Sequence, residues 1–102
     1  MKLPKLVRNN IPDTIDNSGK CSITYKAASK DLNYFLIEKM KEELKEFQAT
    51  PCLEEAADMY EVFLTILDHW SLDLDLVKSV AEIKRNINGS FKEGIILENI
   101  TH

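Results

Sequence analysis

Apolar residues recur at intervals of three and four along most of this chain, the spacing that places them on one face of an α-helix. The pattern predicts three helices, over residues 29–48, 50–70 and 73–88. Ser29, Thr50 and Asp73 are the predicted N-caps, because their side-chain oxygens can accept hydrogen bonds from the first free backbone amides. Pro51 suits the first position of the second helix, and Gly89 suits the C-terminal end of the third.

The flanking segments have a different pattern. Residues 1–30 carry turn-forming residues and are predicted to be irregular. Residues 22–25 alternate and residues 94–97 are apolar, which predicts a short β-hairpin between the N- and C-terminal segments. Three helices make a helical hairpin plus a third helix, less than a four-helix bundle. We therefore expect an all-α single domain over residues 1–102, with a four-helix-bundle-like core completed by homodimerisation.

Composition narrows the class of protein. The chain has 102 residues and a net charge of −4, which disfavours a general nucleic-acid binder, because such proteins carry a basic face. No apolar run approaches the roughly 20 residues that span a bilayer. The N-terminus lacks the apolar core of a signal peptide. We expect a cytoplasmic protein with neither a nucleic-acid nor a membrane partner.

Two short acidic clusters, residues 42–46 and 54–58, carry carboxylates three positions apart on predicted helices. Residues at that spacing share a helical face, so two such helices side by side would gather four carboxylates. Four like charges repel, and stability alone does not favour that arrangement. Mg²⁺ does favour it, because this ion takes oxygen ligands and sits between protein carboxylates and substrate phosphates. The clusters therefore indicate metal-assisted phosphate chemistry.

Helical geometry divides the acids within each cluster. Glu43 falls inside the apolar arc of the first helix, and Glu46 lies on its border. Glu55 projects among the apolar residues of the second helix, Asp58 lies just off that border, and Glu54 faces away. A carboxylate in apolar surroundings is costly unless it is paired, protonated or bound to metal. The four inward acids are the predicted metal ligands.

Ordinary salt bridges are the competing interpretation of these acids. Lys39, Lys41 and Lys45 lie on the same predicted helix and can neutralise carboxylates nearby. We prefer this interpretation for Glu42 and Glu54. For the inward acids we prefer metal, because one nearby lysine cannot balance four charges.

The chain also resembles the all-α nucleoside triphosphate pyrophosphohydrolases, often called MazG-like. Their signature, Glu-Glu-x-x-Glu followed by Glu-x-x-Asp on the next helix, matches residues 42–46 and 55–58. Residues 5–12, KLVRNNIP, resemble the opening KLVRDKIP of a small phosphoribosyl-ATP pyrophosphohydrolase-like branch. Residues 84–97 resemble that branch's KxxxRGGF segment and the short strand after it. Asn9, Asn10 and Asn88 depart from the branch, which usually has Asp, Lys and Arg there.

The resemblance implies roles for individual residues. The residues that match the Mg²⁺ ligands, with Mn²⁺ as a substitute ion, are Glu43, Glu46, Glu55 and Asp58. Lys84 matches a basic residue near the nucleotide phosphates, and Lys39 and Arg8 are weaker candidates for that role. An equal alternative for Arg8 is a structural clamp that holds the N-terminal segment. Glu42 and Glu46 are the two candidates for the general base, and the sequence does not separate them.

The implied reaction is hydrolysis of a nucleoside triphosphate between its α- and β-phosphates, giving a monophosphate and pyrophosphate for nucleotide-pool house-cleaning. One alternative is phosphoribosyl-ATP pyrophosphohydrolase, which uses the same chemistry. Another is a non-catalytic helical dimer that binds a nucleotide or a protein partner. The expected assembly is a homodimer or a dimer-of-dimers tetramer. The preferred base and sugar stay open.

Overall fold

A computed structural model describes residues 2–102 of the chain. It contains the helices α1 (Ile11–Asn17), α2 (Ser29–Ala49), α3 (Leu53–His69) and α4 (Leu74–Asn88). No strand occurs in the described range, which confirms the all-α class. Residues 22–25 and 94–97 are irregular, and their pairing stays a prediction.

The chain divides into two compact units. The first ends at Ser71 and holds α1, α2 and α3, whereas the second comprises Leu72–His102 and holds α4. Within the part of the chain that the structure describes, no helix combines the length and apolar character needed to cross a bilayer.

Helix α1 lies in the segment that was predicted to be irregular, and that prediction is wrong for residues 11–17. Pro12 stands in the first turn, where its missing N–H would have no helical partner. Near the end of the helix, Asp16 accepts hydrogen bonds from the backbone N–H and the hydroxyl of Ser22, which lies beyond α1, both at 2.8 Å. These two bonds lower the pKa of Asp16. A helix this short carries too few apolar positions to reveal a helical period.

Two predicted N-caps are wrong, although the helices they begin are present. Ala28 precedes α2, so Ser29 is its first helical residue, and Cys52 precedes α3. Thr50 instead ends α2, where its N–H donates to the carbonyl of Glu46 at 3.0 Å. Pro51 therefore lies in the connection between the helices, and the prediction that it occupies the first position of α3 is wrong.

The predicted ends of α4 are confirmed. The side chain of Asp73 accepts a hydrogen bond from the N–H of Leu76 at 3.0 Å. Gly89 has a φ of 87°, a conformation that costs glycine little, and its N–H donates to the carbonyl of Arg85 at 2.8 Å.

The core of the first unit lies where α2 packs against α3. Leu36 is 0% exposed, and Val62 and Leu67 are 8% and 7% exposed. At one side of this interface, Trp70 donates its indole N–H to the side-chain oxygen of Asn33 at 3.1 Å. The packing fixes how the acidic faces of α2 and α3 meet.

Leu36→Ala should lower the free energy of unfolding by about 2–5 kcal/mol, because it leaves a cavity in the α2–α3 interface. Urea denaturation followed by circular dichroism measures this loss. Leu53→Ala is the matched control, since Leu53 is 86% exposed. Its effect should stay within about 0.5 kcal/mol. Equal losses for both variants would contradict this description of the core.

Candidate metal centre

The four acids predicted to bind metal come together between α2 and α3. One carboxylate oxygen from each lies within 4.8 Å of the others. We call this group the acidic quartet: Glu43, Glu46, Glu55 and Asp58. Each helix contributes two acids one turn apart, so the packing of the two helices creates the cluster.

Two carboxylate oxygens of the acidic quartet are buried without partners. Glu43 is 4% exposed, and its Oε2 has no hydrogen-bond partner among residues 2–102. The same holds for Oε2 of Glu55 within that range. An unpaired buried acceptor costs free energy, and more so when it is charged. These free oxygens fit a hard divalent cation, which takes carboxylate oxygen ligands.

The electrostatics of the acidic quartet also fit a bound cation. Burial raises the pKa of Glu43, and the charges of Glu46 and Asp58 raise it further, while the hydrogen bond and charge of Lys39 oppose them. The raised pKa means that the folded protein resists a full negative charge at Glu43. A bound cation would reverse this effect, because it favours the ionised carboxylate.

Two basic side chains contact the acidic quartet directly. Arg8 donates from Nη2 to Oδ1 of Asp58 at 2.7 Å, and this hydrogen bond raises the pKa of Arg8. Lys39 Nζ lies 3.2 Å from Oε1 of Glu43. Both residues were predicted to bind phosphate; they contact carboxylates of the acidic quartet, and their role at phosphate stays a prediction. They offset part of the charge and leave the orphaned oxygens of Glu43 and Glu55 unpaired.

Glu42 has different surroundings from its neighbour Glu43. Its Oε1 lies 3.1 Å from Nζ of Lys5 and 3.5 Å from Nζ of Lys39. Burial acts to raise the pKa of Glu42, but the Lys5 hydrogen bond and the two lysine charges outweigh it, so the pKa is lowered. The salt-bridge interpretation of Glu42 agrees with these contacts.

The other candidate residues form no ion pair with the acidic quartet in the part of the chain that the structure describes. Glu54 is exposed and forms no ion pair within the described residues. Lys41 pairs with Glu38 at 3.3 Å. Lys84 is exposed on α4 in the second unit, and its role at the phosphates stays a prediction.

Beside the acidic quartet, sequence reasoning missed the contact of Lys5 with Glu42. Helical periodicity gives no information about Lys5, because the residue precedes α1 and lies in irregular chain. The available signal was its position as the first residue of the KLVRNNIP segment.

No family model, no curated protein and no solved structure matches the chain.

Mg²⁺ or Mn²⁺ should raise the melting temperature of the protein, by about 10 °C when the ion is in about 100-fold excess over its Kd. Glu55→Gln should remove most of this shift, since it neutralises a carboxylate with an orphaned buried oxygen. Glu54→Gln is the control, because it makes the same change at the exposed neighbour and should keep the shift. Differential scanning fluorimetry in metal and in EDTA provides the measurement. Equal shifts in the two variants would count against the metal centre.

Proposed function

We propose that this protein is a Mg²⁺-dependent nucleoside triphosphate pyrophosphohydrolase of the MazG-like type, which cleaves between the α- and β-phosphates. The observation that supports the proposal is the acidic quartet, with its ligand oxygens within 4.8 Å of one another. Carboxylate oxygens suit Mg²⁺ and Mn²⁺ better than softer metals. Sites of this chemistry hold the ion between protein carboxylates and substrate phosphates.

When bound, Mg²⁺ would neutralise phosphate charge and supply a more acidic water for attack on the α-phosphorus. The chain's own residues hold the ion through the acidic quartet and orient the substrate with basic side chains. Arg8 suits this role because a guanidinium can bind two phosphate oxygens at once, and its side chain is 55% exposed. Lys39 lies beside Glu43, with its Nζ 3.2 Å from Oε1.

Of the two candidates for the general base, the contacts favour Glu46. Glu42 is paired with Lys5 and Lys39, and its lowered pKa makes it a weaker acceptor for the proton of the attacking water. Glu46 contributes one oxygen to the acidic quartet and is exposed. With one oxygen holding the ion, its second oxygen would be free to accept a proton.

The proposed assembly is a homodimer, or a tetramer made of two dimers. Its support is the apolar surface of the second unit. On α4, the exposed residues with spacings of four, three and four share one helical face: Leu76, Val80, Ile83 and Ile87. A continuous apolar stripe of this kind on a helix is typical of a face that another element covers. We propose that a second copy of the chain covers it.

Ile83→Asp should shift the protein toward monomer, because it places a charge in the middle of the apolar stripe of α4. Multi-angle light scattering over a concentration series measures the molar mass. Lys78→Asp introduces the same side chain away from the stripe and should leave the mass unchanged. A monomeric wild-type protein would refute the dimer.

The wild-type protein should release pyrophosphate from nucleoside triphosphates with Mg²⁺ and release none in EDTA. Glu55→Gln should lower turnover about 100-fold or more, because a metal-site residue is lost. Glu54→Gln, the exposed control, should stay near wild type. A panel of ribo-, deoxyribo-, modified and phosphoribosylated nucleotides ranks the substrates and tests the phosphoribosyl-ATP alternative.

Full activity in folded Glu55→Gln would overturn the assignment of the acidic quartet. Metal-dependent stabilisation without turnover of any nucleotide would instead support a non-catalytic nucleotide-binding or partner-binding dimer.

A further inference from the structure

A cavity of about 590 Å³ lies in the first unit between the N-terminal segment and one face of α2. Cavities of about 300–1,000 Å³ hold small-molecule ligands in proteins. Five lysines and three glutamates line it, so its lining is basic although the whole chain has a net charge of −4. We call it the lysine cavity. Its chemistry suits an anion.

Lys5 and Lys39 are the two half-buried lysines of the lysine cavity. Their side chains are only 18% and 17% exposed, and both ammonium groups approach the same oxygen of Glu42, at 3.1 and 3.5 Å. Because Lys39 also lies 3.2 Å from Glu43, these two half-buried ammonium groups share two carboxylates. Lys45 also lines the cavity, is exposed and forms no ion pair within residues 2–102. An anion in the cavity would give Lys45 a partner and would compete with the glutamates for Lys5 and Lys39.

The lysine cavity adjoins the acidic quartet. Glu46 lines the cavity and also contributes an oxygen to the quartet. Lys39 lines the cavity and contacts Glu43 of the quartet at 3.2 Å. A substrate whose α-phosphate lies at the quartet would therefore have basic side chains beside the rest of its phosphate chain.

We propose that the lysine cavity binds the β- and γ-phosphates of the substrate, with Lys5 as a phosphate-binding residue alongside Lys39 and Lys45. This inference rests on the proposed function. In the reaction, a water oxygen forms a bond to the α-phosphorus, and the bond from that phosphorus to the bridging oxygen breaks. The bridging oxygen keeps the electron pair and leaves with pyrophosphate, while the proton of the water passes to the base. The leaving group is thus held by lysines throughout.

The proposal predicts that Lys5, in the N-terminal segment, contributes to the choice of substrate. A nucleoside diphosphate has no γ-phosphate to pair with the lysines of the cavity, so the cavity should favour triphosphates. The monophosphate product has no group for the cavity, so its affinity should not depend on Lys5.

Isothermal titration calorimetry with inorganic pyrophosphate and with a nucleoside monophosphate, both in Mg²⁺, tests the proposal. Lys5→Met and Lys45→Met should each weaken pyrophosphate binding about 10-fold or more and leave monophosphate binding unchanged. Lys5→Arg should restore most of the affinity. Lys30→Met is the matched control, because Lys30 is an exposed lysine of α2 outside the cavity lining. Lys45→Met keeps the test valid if Lys5→Met does not fold, since Lys45 makes no ion pair in the described chain.

Unchanged pyrophosphate affinity in folded Lys5→Met and Lys45→Met would overturn the proposal, as would a loss confined to the monophosphate. Steady-state kinetics separates this failure from failure of the proposed function. Normal Mg²⁺-dependent turnover with an unaltered KM in Lys5→Met would refute the lysine cavity and leave the enzyme assignment standing. Lysine-dependent pyrophosphate binding without hydrolysis of any nucleotide would refute the enzyme assignment and leave the anion site standing.

Discussion

The packing of α2 against α3 is the constraint on which the rest of the first unit depends. It buries Leu36, Val62 and Leu67, and the same contact brings two acids from each helix within 4.8 Å. The same interface therefore provides the hydrophobic stabilisation and carries the electrostatic cost of bringing four carboxylates together. Apolar burial of this kind stabilises at roughly 25 cal/mol per Å². Because the interface cannot form without gathering the carboxylates, part of that stabilisation is spent on holding like charges together.

The surrounding ion pairs show how the chain limits this cost without removing it. Arg8 and Lys39 contact one acid from each helix of the acidic quartet, and Glu42 in turn balances Lys39. Buried oxygens of Glu43 and Glu55 nevertheless stay unpaired within the described residues. A purely structural salt-bridge network would be expected to satisfy its most buried members first, because those gain most from pairing. Here the pairing is more complete at Glu42 than at the more deeply buried Glu43, the order expected of a site that binds a cation.

Helical periodicity predicts some features of this structure and carries no information about others. Glu43 was placed in the apolar arc from helical spacing alone, and it is buried at 4% exposure, because side-chain direction on a long regular helix follows from residue number. The caps at Ser29 and Thr50 were wrong, since each end depends on the path of the connecting chain. Helix α1 was missed because seven residues span only about two turns. Contacts from irregular chain, such as Lys5 to Glu42, have no periodic signal at all.

The same ion pairs give the first unit a physical link between its two candidate sites. Lys39 contacts Glu43 of the acidic quartet and also shares Glu42 with Lys5 in the lysine cavity. A cation at the quartet would compete with Lys39 for Glu43, and an anion in the cavity would draw Lys39 away from both Glu42 and Glu43. Each ligand thus weakens a contact that opposes the other, which is positive coupling through a shared side chain. Under the proposed function, a nucleoside triphosphate bound with Mg²⁺ would meet both demands at once.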